Sequence, residues 1–348
     1  PVGLVRALTD AYRAARGAKL GKKDLIGAML KRLADTYFEQ GKFEECIRTY
    51  RRLIAEDASS PKAPDYQNEI ILAYQKIGRK KETRAEIVRL LDTYGKNSDS
   101  GWVRANSADT DAMKDAETYI EKNLRTVALN YHNDAKKLKT GSEAKASYKL
   151  AGWGYSTYLK EFPDNKHSYE MRYAFGELLY KLKMYDKAYV QYMKVVEMDR
   201  NGKHAKFCAE SAIFAAEEMT KKQGGSSKPT SKKEAIELTE WENKLIAACD
   251  QWQKIFPDDK KTRNIIYKSA YLLYHKNQFK EASDRFRTVI AMNPRSKEAE
   301  QAADLIVDSF AFVEDWENLK VVSKAFYDQE GLGSSRFKKD VYKIYENA

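Results

Sequence analysis

Cysteine is scarce, and the three present, Cys46, Cys208 and Cys249, are odd in number, far apart and outside any Cys-x-x-Cys or Cys/His spacing. That excludes a disulfide framework and a zinc site and leaves small buried apolar residues, tolerable in an oxidising compartment without requiring one. Proline and glycine are also few, 7 and 17 in 348 residues. Irregular connections are therefore short, and long solvated helices are favoured over β structure. No apolar run is long enough to span a bilayer. The chain begins at Pro1 without Met and stops inside a helical pattern, Phe337 to Tyr345, and so reads as a fragment of a longer protein.

Catalytic signatures are missing as well. The histidines, His132, His167, His204 and His275, stand alone, with no His or Cys at i+3 or i+4, which suits partly exposed helical residues and not metal ligands. Gln223 to Thr230 has the glycines and lysine of a phosphate cradle but neither the G-x-x-x-x-G-K-[ST] spacing nor a preceding strand. No catalytic residue, metal or cofactor is expected.

What is present is charge, 32% of residues with a formal net of +11. Lys221, Lys222, Lys228, Lys232 and Lys233 place part of the excess in one Gly/Ser-rich stretch, and the remainder is interspersed with acids as on ordinary helix faces. Specific nucleic-acid binding is therefore not expected, although an anionic polymer, nucleic acid or cell-wall material, stays open as the alternative partner.

Set against itself, the chain repeats. Phe175 to Ala188 and Ser269 to Ala282 align residue for residue, both end aromatic-x-x-Ala, and Tyr192 and Phe286 follow, then Val195 and Val289, with Pro294 closing the second unit. Leu33 to Cys46, then Tyr50, Leu53 and Pro61, fits the same frame. A more degenerate unit runs through Ile70, Ile71, Tyr74, Gly78, Thr83, Ile87 and Leu90, and a last one through Ile306, Val307, Phe310, Trp316, Leu319 and Phe326. Two units are stretched: Val127, Ala128 and Tyr131 precede Gly154, Tyr158 and Pro163, and Ile213 and Phe214 precede Ala248, Trp252 and Pro257. Pro163-Asp164 and Pro257-Asp258 stop one helix and offer an acid to cap the next.

These recurring positions resemble the tetratricopeptide consensus. Small residues let two helices approach, aromatics fill the groove of the next pair, and Gly or Asn takes the turn. The resemblance implies an all-α fold, a right-handed α-solenoid of about seven helix pairs, two of them stretched, with a leading helix near Leu4 to Arg16 and a truncated C-terminal helix. The expected organisation is one array over 1–348. Residues 1–94 hold the leading helix and two repeats, 95–110 form a loop with Trp102 in a polar run, and 111–348 hold the other repeats with a mobile Lys-rich loop at 221–231.

The same resemblance implies where a partner sits. The second, fifth, ninth and twelfth positions of each first helix face the groove: Glu170, Tyr173, Glu177 and Tyr180 in the fourth unit; Asn264, Tyr267, Tyr271 and Tyr274 in the sixth; Gln301, Asp304, Asp308 and Ala311 in the last. Tyrosines there offer rigid amphipathic surface for a protein or peptide partner, or else pack as repeat core. The family's two-carboxylate clamp for chaperone tails falls on Lys31, Asp35, Glu69, Lys122 and Thr126, where acids replace the neutral amides and would repel a peptide carboxylate.

A narrower likeness lies in the run Phe-Pro-Asp-x-Lys-x-x-Tyr-x-x-Arg-Tyr-x-x-Gly-Glu-Leu-Leu-Tyr-Lys beginning at Phe162, which is similar to tetratricopeptide proteins of the bacterial cell envelope associated with gliding motility and outer-membrane assembly. It implies a periplasmic or outer-membrane-associated scaffold and subunit of an envelope complex, with a cytoplasmic one as the alternative.

Overall fold

The structure, a computed structural model, describes residues 2–17, 23–224 and 234–348. Every regular element among them is a helix. The leading helix α1 (Val2–Gly17) is followed by pairs α2 (Lys23–Glu39) and α3 (Phe43–Glu56), then α4 (Ala63–Lys76) and α5 (Lys80–Tyr94). A short α6 (Gly101–Asn106) precedes the long pair α7 (Thr110–Leu138) and α8 (Ser142–Glu161). Next come α9 (Ser168–Lys181) and α10 (Tyr185–Met198), α11 (Ala205–Lys222) and α12 (Glu240–Ile255), α13 (Thr262–His275) and α14 (Phe279–Met292), and α15 (Lys297–Phe312) and α16 (Trp316–Asp328), with α17 (Ser335–Asn347) last. Within each unit consecutive helices pack as antiparallel neighbours, the construction of an α-solenoid. Contacts gather into two compact units, Pro1–Met171 and Arg172–Ala348.

The same turn closes the first, second, fourth, sixth and seventh pairs. One residue takes the left-handed conformation: Gly41 at φ 70°, Gly78 at 70°, Lys183 at 60°, Asn277 at 56° and Glu314 at 60°. The next amide donates five residues back, Lys42 to Tyr37, Arg79 to Tyr74, Met184 to Leu179, Gln278 to Leu273 and Asp315 to Phe310, at 2.8–3.0 Å. This is the Schellman closure, which satisfies orphan carbonyls at the end of one helix while reversing the chain into its partner. Gly and Asn were the residues expected there. Lys183 and Glu314 fill the same role against the backbone preference of their side chains, because the surrounding pair fixes the reversal.

Small residues set how closely the paired helices approach. Ala34, Gly176 and Ala270 each stand sixteen residues before a fully buried ring, Tyr50, Tyr192 and Phe286. At Gly176 the approach is tightest, since a Cβ built there would lie 2.7 Å from the Tyr192 ring. Tyr192 is 1% exposed and cannot swing aside. Gly176→Ala should therefore destabilise unit 2 by about 1–3 kcal/mol despite the better helix propensity of alanine, measured as a lowered urea midpoint; an unchanged or raised midpoint would show that the ring yields.

Several expectations change in the folded chain. Residues 95–110 are not all loop: Ser100 accepts from the Val103 amide and starts α6, and Trp102 is buried. Lys221 and Lys222 belong to the last turn of α11, so that helix runs past the expected loop start; residues 225–233, with Lys228, Lys232 and Lys233, lie outside the described residues. The acids after the two proline stops, Asp164 and Asp258, are exposed and cap neither helix, and α13 has no side-chain cap; the next residues brace the turns instead, Asn165 accepting from the His167 amide at 3.0 Å and Asp259 from the Lys261 amide at 2.8 Å. His132, expected to be partly exposed, is buried, with its Nδ1 3.0 Å from the Tyr155 hydroxyl, and burial holds its ring down at about 4. The three cysteines are buried as expected, and burial pushes their thiols up to about 12.

Candidate functional site

Within unit 2 the first helices of the successive pairs, α9, α11, α13 and α15, share one continuous face. Tyr173 meets Phe207 edge-on at 5.7 Å, joining α9 to α11. Lys261 reaches Glu210 and Lys268 reaches Glu217, both at 2.5 Å, joining α11 to α13. Arg263 reaches Glu298 at 3.4 Å, and the Tyr274 hydroxyl donates to Asp308, joining α13 to α15. These cross-links hold neighbouring first helices in fixed register and so fix the positions of the side chains that point outward between them.

The expected groove residues divide sharply. Tyr274 is 8% exposed and belongs to the core with Ile266, Leu273 and Phe286, because α15 lies over it and Asp308 accepts a hydrogen bond from its hydroxyl. Tyr267 is half-buried, its ring 5.5 Å from Phe286. Tyr271 is 43% exposed and sits between the other two, stacked on Tyr267 at 6.1 Å and on Tyr274 at 6.5 Å. In the fourth pair, Tyr173 is half-buried and stacked on His204 at 3.7 Å, and Tyr180 meets Tyr185 edge-on at 5.0 Å. Glu177 is turned to its own partner helix, accepting from the Tyr192 hydroxyl at 2.6 Å. Asn264, Asp304 and Asp308 are exposed.

A difference between the pairs accounts for the availability of Tyr271. In the first pair Asp35 accepts from Tyr50, fifteen residues on, and in the fourth Glu177 accepts from Tyr192 at the same separation. The equivalent residues of the sixth pair are Tyr271 and Phe286. Phe286 has no hydroxyl to offer, so the first-helix position carries no internal hydrogen bond and holds an aromatic ring that faces outward.

Two rings on this face escaped the sequence. Phe207 and Phe214, two turns apart on α11, are 45% and 42% exposed. The repeat frame sets Phe214 beside Ile213 in the first helix of the stretched fifth unit; the folded chain buries Ile213 and leaves Phe214 outside, lining a cleft of about 200 Å³ with Glu210, Lys261, Asn264 and Lys268. Their seven-residue spacing was the only available signal, and it does not distinguish an inward stripe from an outward one.

The electrostatics of the face run against the sign of the whole chain. Lys261, Lys268 and Arg263 are each engaged by an acid on the neighbouring first helix. Among the described residues no cation pairs with Asp304 or Asp308. Burial and then the carboxylates of Glu300, Asp340 and Asp308 push the Asp304 carboxyl up to about 6. In unit 1 the first helices are also acidic. Lys31 is 3.0 Å from Asp35, which also accepts from the Tyr50 hydroxyl; Tyr119 donates to Asp65 at 3.0 Å; and the Glu69 carboxyl is raised by burial and by Asp65. Among the described residues no group of three or more His, Cys, Asp or Glu is placed to hold a metal ion, and no helix is long and apolar enough to cross a membrane.

Family models described as tetratricopeptide repeat match residues 30–60, from the middle of α2 through α3, and residues 169–201, which span the fourth pair. No curated protein matches the sequence significantly. Among solved structures, a tetratricopeptide repeat protein from Parabacteroides merdae is 12% identical, with 92% of this chain and 97% of that chain covered and a TM-score of 0.29. The C-terminal part of a repeat-containing protein from Cytophaga hutchinsonii is 16% identical over 78% of this chain and 98% of that chain, with a TM-score of 0.29. Yeast Tom70 is 11% identical over 99% of this chain and 95% of that chain, with a TM-score of 0.26. Whole-chain superpositions this loose carry no weight; the repeat matches do, and by them the segments 30–60 and 169–201 are tetratricopeptide repeats, whose turn, small-residue and ring positions recur in other pairs.

Proposed function

We propose that this chain is a non-catalytic protein-interaction scaffold that holds a segment of a partner protein on the first-helix face of unit 2. The observation that carries the proposal is Tyr271, a ring held between two others and left outside the core. Rigid, half-desolvated aromatic rings dominate binding energy at protein interfaces. Phe207, Phe214, Tyr173 and Tyr180 extend the surface, and Asn264, Tyr267, Asp304 and Asp308 supply its polar contacts. The resemblance of the run from Phe162 to tetratricopeptide proteins of the bacterial envelope favours a subunit of an envelope assembly. The alternative of an anionic polymer finds little favourable charge on this face, where Lys261, Arg263 and Lys268 are paired and, among the described residues, no cation meets Asp304 or Asp308.

The test is a photo-crosslinking residue placed at 271, followed by affinity measurements with the captured partner once purified. Tyr271→Ala should weaken that complex about tenfold or more with helical content unchanged, since the ring makes no hydrogen bond to its own pair. Tyr274→Ala is unsuitable because it opens the core. Equal affinity of the wild type and Tyr271→Ala would refute binding on this face.

A further inference from the structure

The sign and spacing of the groups around Tyr271 narrow the partner. Tyr274 bonds to Asp308, and Tyr267 lies within the field of Asp304, so the tyrosine row on α13 runs beside the aspartate row on α15. Asp304 and Asp308 are one turn apart, about 6 Å along the helix. Side chains on one side of an extended peptide recur every two residues, about 6.8 Å. The two carboxylates therefore match successive same-side positions of an extended chain. A cation there also approaches the Tyr271 ring, which is 43% exposed, and aromatic rings attract ammonium and guanidinium groups.

Other cations are already engaged. Glu210, Glu217 and Glu298 hold Lys261, Lys268 and Arg263, Glu300 accepts from the Ser334 amide and hydroxyl at 2.7 and 3.0 Å, and Asp340 pairs with Arg336 at 3.8 Å. Asp308 spends one oxygen on Tyr274 and keeps acceptor capacity on the other. Asp304 has no partner of its own among the described residues. Its carboxyl is raised by burial first and then by Glu300, Asp340 and Asp308, and an incoming cation would oppose both effects.

Resting on the protein-binding role proposed above, we infer that the segment held on this face is extended and basic, with two Lys or Arg side chains two residues apart set against Asp304 and Asp308 beside the Tyr271 ring. Charge complementarity selects this occupant over an acidic peptide, which the same carboxylates repel, and over an uncharged one, which would leave them desolvated and unpaired.

The test uses three fluorescein-labelled synthetic peptides of equal length and identical apolar residues, carrying Lys-x-Lys, Gln-x-Gln or Glu-x-Glu at the centre, titrated by anisotropy into the wild type, Asp304→Asn and Tyr271→Ala. The Lys-x-Lys peptide should bind the wild type best, weaken as salt is raised, and lose about tenfold in affinity on Asp304→Asn and on Tyr271→Ala. Asp304→Asn removes a repelled carboxylate and breaks no hydrogen bond, so its loss of binding cannot be ascribed to misfolding. If the Gln-x-Gln or Glu-x-Glu peptide binds as well and is lost only on Tyr271→Ala, the basic-segment inference falls and the binding face stands. If no peptide binds, or if neither substitution alters binding, both are overturned.

Discussion

Lys276→Met should lower the stability of the sixth helix pair by about 3–5 kcal/mol, the loss typical when one partner of a buried ion pair is removed. Lys276 and Glu242 are 7% and 2% exposed and lie 2.9 Å apart. Glu242 also starts a helix. Its carboxylate accepts from the Thr239 amide at 2.9 Å while the Thr239 hydroxyl accepts from the Glu242 amide, the capping box that opens α12. The connection is reinforced by the backbone, since the Ile236 amide donates to the Lys276 carbonyl at 2.8 Å and the side chains of Asn277 and Gln278 donate to the carbonyls of Glu234 and Ile236. The segment entering α12 is thus fastened to the turn between α13 and α14, tying the fifth pair to the sixth. Without Lys276, Glu242 would remain buried and charged with no counter-ion. The double variant Lys276→Met with Glu242→Gln keeps a capping residue at that position and removes the stranded charge, so it should recover more than half of the loss. Urea titration of the two singles and the double gives the coupling directly; additive losses would show that the pair does not act as a unit.

Trp102→Ala should cost unit 1 about 3–5 kcal/mol, the range for emptying a buried tryptophan site. Trp102 is 3% exposed, meets Tyr94 edge-on at 5.1 Å and donates from its indole to the Ser60 carbonyl at 2.7 Å. Asn106 donates to the Ser59 carbonyl at 2.9 Å, so two side chains of α6 bind the turn between α3 and α4. Removing the ring should release 95–109 to proteolysis between α5 and α7 as well as lower the urea midpoint. Trp102→Phe separates the contributions, keeping most of the apolar contact and losing a hydrogen bond of about 1 kcal/mol. Wild-type resistance to protease in Trp102→Ala would show that α6 is held by other contacts.

Both predictions concern links that no short-range pattern announces. A polar run between two repeats offers no periodicity, and the partner of Trp102 is a backbone carbonyl forty-two residues away. Lys276 and Glu242 are separated in the sequence by most of α12 and all of α13, and either could equally have been a solvated helix charge. By contrast, the pairs themselves could be read at fixed spacing. Ala34 with Tyr50, Gly176 with Tyr192 and Ala270 with Phe286 recur sixteen residues apart because each lies within a single hairpin, whose geometry is set by two helix lengths and one turn.

The candidate site falls between these cases. Helical spacing placed Tyr267, Tyr271 and Tyr274 on one side of α13, but spacing is the same for a ring that points into the core and one that points out of it. The neighbours decide. α15 covers Tyr274 and Asp308 accepts its hydrogen bond, Phe286 backs Tyr267, and of the three Tyr271 is the exposed one. For Phe207 and Phe214 on α11 the same ambiguity resolved the other way, leaving outside two rings that a hydrophobic stripe would assign inside.

The order of amino acids suffices to show that this chain is a string of tetratricopeptide helix pairs, since turn closure, close helix approach and ring packing all act within about forty residues and leave a repeating mark. Packing between the pairs settles the remainder: which tyrosine is exposed, which acids remain without a cation, and which charges are buried together. Those outcomes depend on contacts between successive pairs, where the separation along the chain varies with every stretched helix and insertion, so no fixed spacing records them.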